Sequence, residues 1–141
     1  MKFWYGITLT GTAPFYLLSV ALLLAFSTQT NGTTFWLNSL IPSGVAWTIA
    51  SFFKKITKKK RPDTDELDAM PSSHAAASSA WACSLWFLKS EWAYFFMIWA
   101  GLIIVSRYRL KRHDVWDLFA GVILGISSAA GVYFFSKSFI F

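Results

Sequence analysis

Charge and cysteine are both scarce in this chain. Only 14% of its 141 residues are Asp, Glu, Lys or Arg, only seven of these are acidic, and Cys83 is the single cysteine. A lone cysteine forms no intramolecular disulfide, and no Cys-x-x-Cys or Cys/His cluster exists to hold a structural zinc. The cysteine count therefore leaves the redox compartment unread. Runs of about ten residues that alternate apolar and polar are also missing, which argues against a closed transmembrane barrel. Because the few charges cluster, long uncharged stretches remain.

Those stretches dominate the chain, which is 55% hydrophobic with positive mean hydropathy. Five apolar segments stand out, Gly6 to Phe26, Phe35 to Phe53, His74 to Leu88, Trp92 to Ser106 and Val115 to Phe135. A segment in lipid must satisfy its own backbone polar groups, so each is expected to be a helix. The expected fold is all-α, an integral membrane bundle of about five transmembrane helices forming one domain over residues 1–141, with the active site on loops at one membrane face. The third and fourth segments are shorter than the ~20 residues a full span needs. The first is longer than a signal-peptide core of ~7 to 15 residues and is read as a retained span. Trp4, Trp36, Trp92 and Trp116 fall near predicted helix ends and read as interfacial anchors. Gly121 and Gly125 form a small-xxx-small face suited to close packing inside the chain. Asn31-Gly-Thr matches a glycosylation acceptor, a pattern too common to carry weight.

Five spans divide the charge unevenly. The N-terminus, the loop from Phe53 to Ser73 and the loop from Arg107 to Asp114 share one side, with eleven Lys and Arg against two opposite. Setting aside Lys54, Arg61 and Arg107 as possible substrate ligands leaves eight against two, which points that face to the cytoplasm. Six of the seven acids lie there as well.

Three stretches on that face carry chemistry, Lys54 to Pro62, Pro71 to His74 and Ser106 to Asp117. Pro71 suits a first helical turn and Ser72 and Ser73 suit its cap, so a helix starting there exposes N–H groups beside hydroxyls, a ready anion site. His113 and Asp117 are four apart and share a helix face. An aspartate so placed accepts a hydrogen bond from one imidazole nitrogen and leaves the other free as nucleophile or base. Asp114 points about 100° away and reads as a solvated neighbour. Lys54 and Arg61 are two helical turns apart if the second helix runs on to Pro62, and with Arg107 they make a clamp for a phosphoryl group. The run Lys58 to Lys60 reads as a solvated or headgroup-facing stretch. The acids from Asp63 to Asp68 read as a counter-charge between basic stretches, not as a metal site.

These residues resemble the type 2 phosphatidic acid phosphatase superfamily, with its motifs Lys-x6-Arg-Pro, Pro-Ser-Gly-His and Ser-Arg-x5-His-x3-Asp. Lys54, Arg61 and Pro62, then Pro71, Ser72 and His74, then Ser106, Arg107, His113 and Asp117 match in order and internal spacing. The resemblance implies a metal-independent, cofactor-free phosphohydrolase. His113 would form a phosphohistidine, Asp117 would hold its tautomer, and His74 would protonate the leaving oxygen and later activate water. Lys54, Arg61, Ser72, Ser73 and Arg107 would hold the phosphoryl oxygens. Ser73 stands where the family has glycine, and five expected spans stand against a usual six.

The expected partners are the bilayer and a phosphorylated lipid (phosphatidate, phosphatidylglycerophosphate, a polyprenyl diphosphate or a lipid A phosphate), and no nucleic acid. The expected location is a bacterial inner membrane. Oligomeric state is not readable. Two alternatives stay open: a lipid phosphotransferase using the same intermediate, and a non-catalytic protein that binds anionic lipid through its basic face. The second gives no reason for His113 and Asp117 to be four apart. A soluble haloperoxidase-like relative fits poorly with five apolar segments.

Overall fold

The computed structural model describes residues 2–11 and 32–140, and the side chains of 2–11 and 38–138. The described chain is all-helical, with α1 (Lys2–Thr10), α2 (Gly32–Thr57), α3 (Ser73–Phe87), α4 (Ala93–Arg109) and α5 (Val115–Ile140).

Helix α3 is the hub, packed against α2, α4 and α5. Its composition explains why. Alanine and serine fill most of it, and Ala75, Ala76, Ser78 and Ala80 are completely enclosed. Small side chains let helix backbones approach closely. The approach of α5 is so tight that a Cβ on Gly121 would sit 2.6 Å from the Ser72 carbonyl oxygen, and one on Gly125 would collide with that of Ala76. The glycine pair thus packs within the chain, as its spacing predicts. Ala46 and Ala50 of α2 meet Ala76 and Ala80 on another face of α3, and the Ser43 hydroxyl donates to the Ala77 carbonyl at 3.2 Å. Toward α4 the contact is aromatic. The Trp81 ring lies 4.7 Å from Phe96 and meets Trp99 edge-on at 5.8 Å, with Leu85 and Ile103 closing the cluster.

Helix α1 docks on α4 through polar contacts. The hydroxyls of Thr8 and Ser106 are 2.9 Å apart, the Trp99 indole N–H donates to Thr10 Oγ1 at 3.0 Å, and Arg109 stands over the Trp4 ring at 6.0 Å. That order makes α1 antiparallel to α4. The start of α1 therefore lies at the same end of the bundle as the end of α4.

One helix departs from its expected bounds. The helix expected from Gly6 to Phe26 instead begins at Lys2 and ends at Thr10, where Thr10 Oγ1 donates back to the Ile7 carbonyl and the Gly11 N–H bonds that of Thr8. Residues 12–26, and Asn31, lie outside the described residues, as does the Trp36 side chain. Among the described residues one helix is long and apolar enough to cross a membrane, Val115–Ser138 within α5. Helices α3 and α4, at 15 and 17 residues, are short of that length, while α2 has 26 residues but is diluted by serine, threonine, Asn38 and Pro42.

Candidate functional site

Four segments meet at one end of the bundle. Helix α2 stops at Thr57 and not at Pro62, because Lys58 turns left-handed at φ 46° and its N–H caps the Lys54 carbonyl at 3.1 Å. Lys54 thus stays on the last turn while Arg61 rides the following loop. That loop is folded back by the Arg61 N–H on the Glu66 carbonyl and the Ala69 N–H on the Lys59 carbonyl, both at 2.9 Å. Ser72 is the N-cap of α3, its hydroxyl accepting the Ala75 N–H at 3.5 Å. Pro71 therefore precedes the cap and is not in the first turn.

Helix α4 ends in a Schellman turn, with the Lys111 N–H on the Tyr108 carbonyl and the Arg112 N–H on that of Arg107. Two residues later α5 begins with a reciprocal cap. The Asp117 N–H donates to Asp114 Oδ1 at 2.9 Å and the Asp114 N–H to Asp117 Oδ2 at 3.0 Å. Asp114 is thus a cap and not a solvated neighbour. The Asp117 carbonyl also accepts the Ser72 N–H at 3.0 Å, which ties the start of α5 to the start of α3 beside the glycine seam.

His113 and Asp117 are buried. The Arg107 guanidinium lies 3.4 Å from His113 Nε2. Arginine only donates, so Nε2 is the accepting nitrogen and Nδ1 carries the proton. Nδ1 makes no short hydrogen bond and lies 3.8 Å from Asp117 Oδ2; His113 precedes the Asp114 cap and lies outside α5, so the pair meets across the bend before the helix and not on a shared helix face, and the expected hydrogen bond is not closed. Lys54 Nζ donates to Ser73 Oγ at 3.1 Å; the hydroxyl at the departing position is therefore engaged with a cation of the clamp. His74 lies against Trp47, ring centroids 5.6 Å apart, and feels the charges of Arg107, Lys54 and Arg61.

A family model, the PAP2 superfamily, matches residues 14–140. The chain belongs to the PAP2 superfamily. Members are generally phosphatases, so membership assigns a phosphoester-hydrolysing function in general terms. No curated protein and no solved structure matches the chain.

The electrostatics of this PAP2 member suit an anion. Burial, with Arg61 and Arg112 nearby, pushes Arg107 down to about 10. Burial lowers Lys54 too, and Arg61 and Arg107 add to that against the pull of Asp68. Burial, then Arg107 and Lys54, push His113 down to about 3, which leaves a neutral imidazole in a cationic setting. Three cations that disfavour one another are relieved by a dianion. The carboxylate now among them is Asp68, whose oxygens lie 2.6 and 2.7 Å from Arg61 nitrogens and 3.7 Å from Lys54. Against the upward push of burial, the Arg61 hydrogen bond and Lys54 hold Asp68 below the usual carboxylate range.

All four acids from Asp63 to Asp68 pair with bases: Asp63 with Arg112, Asp65 with Lys60, Glu66 with Arg61, Asp68 with Arg61 and Lys54. Among the described residues no three His, Cys, Asp or Glu groups are arranged to hold a metal ion. Lys59 departs from its expected solvated role. Its ammonium bridges Asp114 and Asp117, 2.7 Å from Asp117 Oδ1, because the loop turns at Lys58 and carries the next side chain back over the start of α5. The Asp-x-x-Asp spacing ahead of an apolar run signals the cap in the sequence. Nothing in the spacing signals Lys59.

Proposed function

We propose that this PAP2 protein is a membrane lipid phosphatase that hydrolyses a phosphomonoester or diphosphate of a lipid through a phosphohistidine. The observation that carries the reading is His113, a buried neutral imidazole whose Nε2 faces Arg107. Lys54, Arg61 and Arg107 all bear on it. An entering phosphate displaces the Asp68 carboxylate from Arg61 and Lys54. Nε2 attacks phosphorus, the N–P bond forms as the P–O bond to the lipid breaks, and His74 gives the leaving oxygen its proton. Water then attacks phosphorus, the N–P bond breaks, and His74 takes the proton of the water. Lys54, Arg61, Arg107, Ser72 and the Ser73 backbone hold the oxygens in both steps.

Lipid as substrate rests on the exterior of the bundle. Phe95, Ile98 and Leu102 of α4 and Trp116, Phe119, Ile123 and Ile126 of α5 are exposed along continuous helix faces, an apolar surface of the kind that a bilayer covers. The spanning bundle, the inner-membrane location and the cytoplasmic orientation of the site belong to the same proposal.

Phosphate release by detergent-purified protein from phosphatidate, phosphatidylglycerophosphate, a polyprenyl diphosphate and a lipid A phosphate tests it. His113→Ala and His74→Ala should abolish release, Lys55→Ala should not, and labelled phosphate should be trapped on the wild-type protein but not on His113→Ala. Release that survives loss of both histidines sinks the mechanism. Label passing to an added alcohol in preference to water identifies a transferase.

A further inference from the structure

We propose that Lys59 is a positioning residue for the phosphohistidine step, holding the Asp117 carboxylate so that it faces His113 Nδ1 without closing on it. The inference rests on His113 being the nucleophile. Asp117 is fully buried, and a buried carboxylate stripped of its cation is an uncompensated charge. Each of its oxygens is already engaged away from His113. Oδ1 accepts the Lys59 ammonium at 2.7 Å and Oδ2 accepts the Asp114 N–H at 3.0 Å, while Asp114 holds the same ammonium from its other side. Burial opposes the charge on Lys59, but the hydrogen bonds to Asp114 and Asp117 hold it above the ordinary lysine range, so it stays charged wherever the site works.

The imidazole ring is affected in two ways. The carboxylate is held at 3.8 Å from Nδ1, within a small movement of a hydrogen bond once phosphorylation makes the imidazole cationic. Until then Lys59 offsets the negative charge that would otherwise favour an imidazolium, and an imidazolium is no nucleophile. The other charged groups around His113 are Lys54 of α2, Arg61 and Asp68 of the loop, and Arg107 of α4. Among the described residues Lys59 is the cation that pairs with Asp117.

The test uses the full chain in detergent micelles. In Lys59→Met the His113 titration midpoint, read from ¹⁵N-labelled histidine spectra, should rise by about one pH unit or more. The acid limb of turnover should move with it, and kcat should fall about 10- to 100-fold with little change in KM, the usual loss for a group that orients a catalytic side chain. Lys59→Arg should restore most of the rate, and Lys55→Met should alter neither readout. If Lys59→Met is poorly folded, Lys59→Met/Asp117→Asn removes both partners together, and its turnover should match Asp117→Asn within twofold. An unmoved midpoint with wild-type turnover in a folded Lys59→Met protein overturns the proposal. So do losses that simply multiply in the double variant. Failure to trap phosphate on the wild-type protein counts against the mechanism instead, and the His113 midpoint still decides whether Lys59 acts on the ring through Asp117.

Discussion

The turn after α3 and the turn after α4 are made from the same backbone parts. Leu88 and Leu110 cap their helices at nearly equal angles, φ −78° and ψ 2° against φ −80° and ψ 2°. A lysine then takes the left-handed position in each, Lys89 at φ 53° and Lys111 at φ 55°, and each turn closes with the same pair of backbone hydrogen bonds. Beyond that point they diverge. The first continues into Glu91 and Trp92, and Trp92 starts α4 without a side-chain cap. The second continues into His113 and Asp114, and Asp114 starts α5 with a reciprocal cap that also captures Lys59. The turn itself is a local matter of the last helical residues. The chemistry proposed for this end of the bundle depends on the residues just beyond the turn and on the other helix ends that converge there.

The largest expected effect breaks this comparison outright. If His113 is the nucleophile proposed above, His113→Ala should lower phosphate release by about 10⁴-fold or more, while Glu91→Ala, at the same place in the other turn, should stay within twofold. Next comes the seam that brings α5 to the site. Gly125→Leu drives a side chain into the α3 backbone and should cost about 1–3 kcal/mol or more in detergent unfolding, whereas Gly131→Ala, with nothing within 4 Å, should stabilise by up to about 1 kcal/mol.

Acid sharpens the contrast further. His113 sits at about 3 when folded, against an ordinary value of 6.5. Between those values the unfolded chain binds a proton that the folded chain does not, so stability is full above pH 6.5 and falls as pH drops toward 3. The slope is at most about 1.4 kcal/mol per pH unit, and urea unfolding at stepped pH should show it reduced in His113→Asn and unchanged in Glu91→Gln. The smallest effect tests the likeness of the two turns. Lys89→Gly and Lys111→Gly each relieve a left-handed side chain and should raise stability alike, by about 1 kcal/mol. Unequal gains in thermal melts would show that the turns are not equivalent.

Local spacing made part of the site legible. Ser72 caps α3 because a serine ahead of an alanine run has few better partners than free N–H groups, whereas His113, expected on the first turn of α5, lies before the Asp114 cap and meets Asp117 through the bend between the two helices. The glycine pair announced a close helix contact because four residues are about one helical turn. Where the chain leaves its helical period, local spacing misplaces side chains. A helix drawn through to Pro62 kept Lys54 and Arg61 on one face, but Lys58 ends it and sends Arg61 to the acids of its own loop. Lys59 reads as a solvated charge in the sequence because no repeat relates it to Asp117, 58 residues away.

By itself, then, the sequence determined the helical class, the family and the chemical groups with their order, since these come from composition, periodicity and short spacings. The tertiary structure alone decided how those groups are charged and held. Burial and mutual repulsion keep His113 neutral among Lys54, Arg61 and Arg107, and an irregular loop path brings Lys59 to Asp117 and Asp68 to Arg61. The first of these joins residues 58 apart and the second follows an aperiodic loop, and their energies depend on distance and burial, which no local pattern encodes.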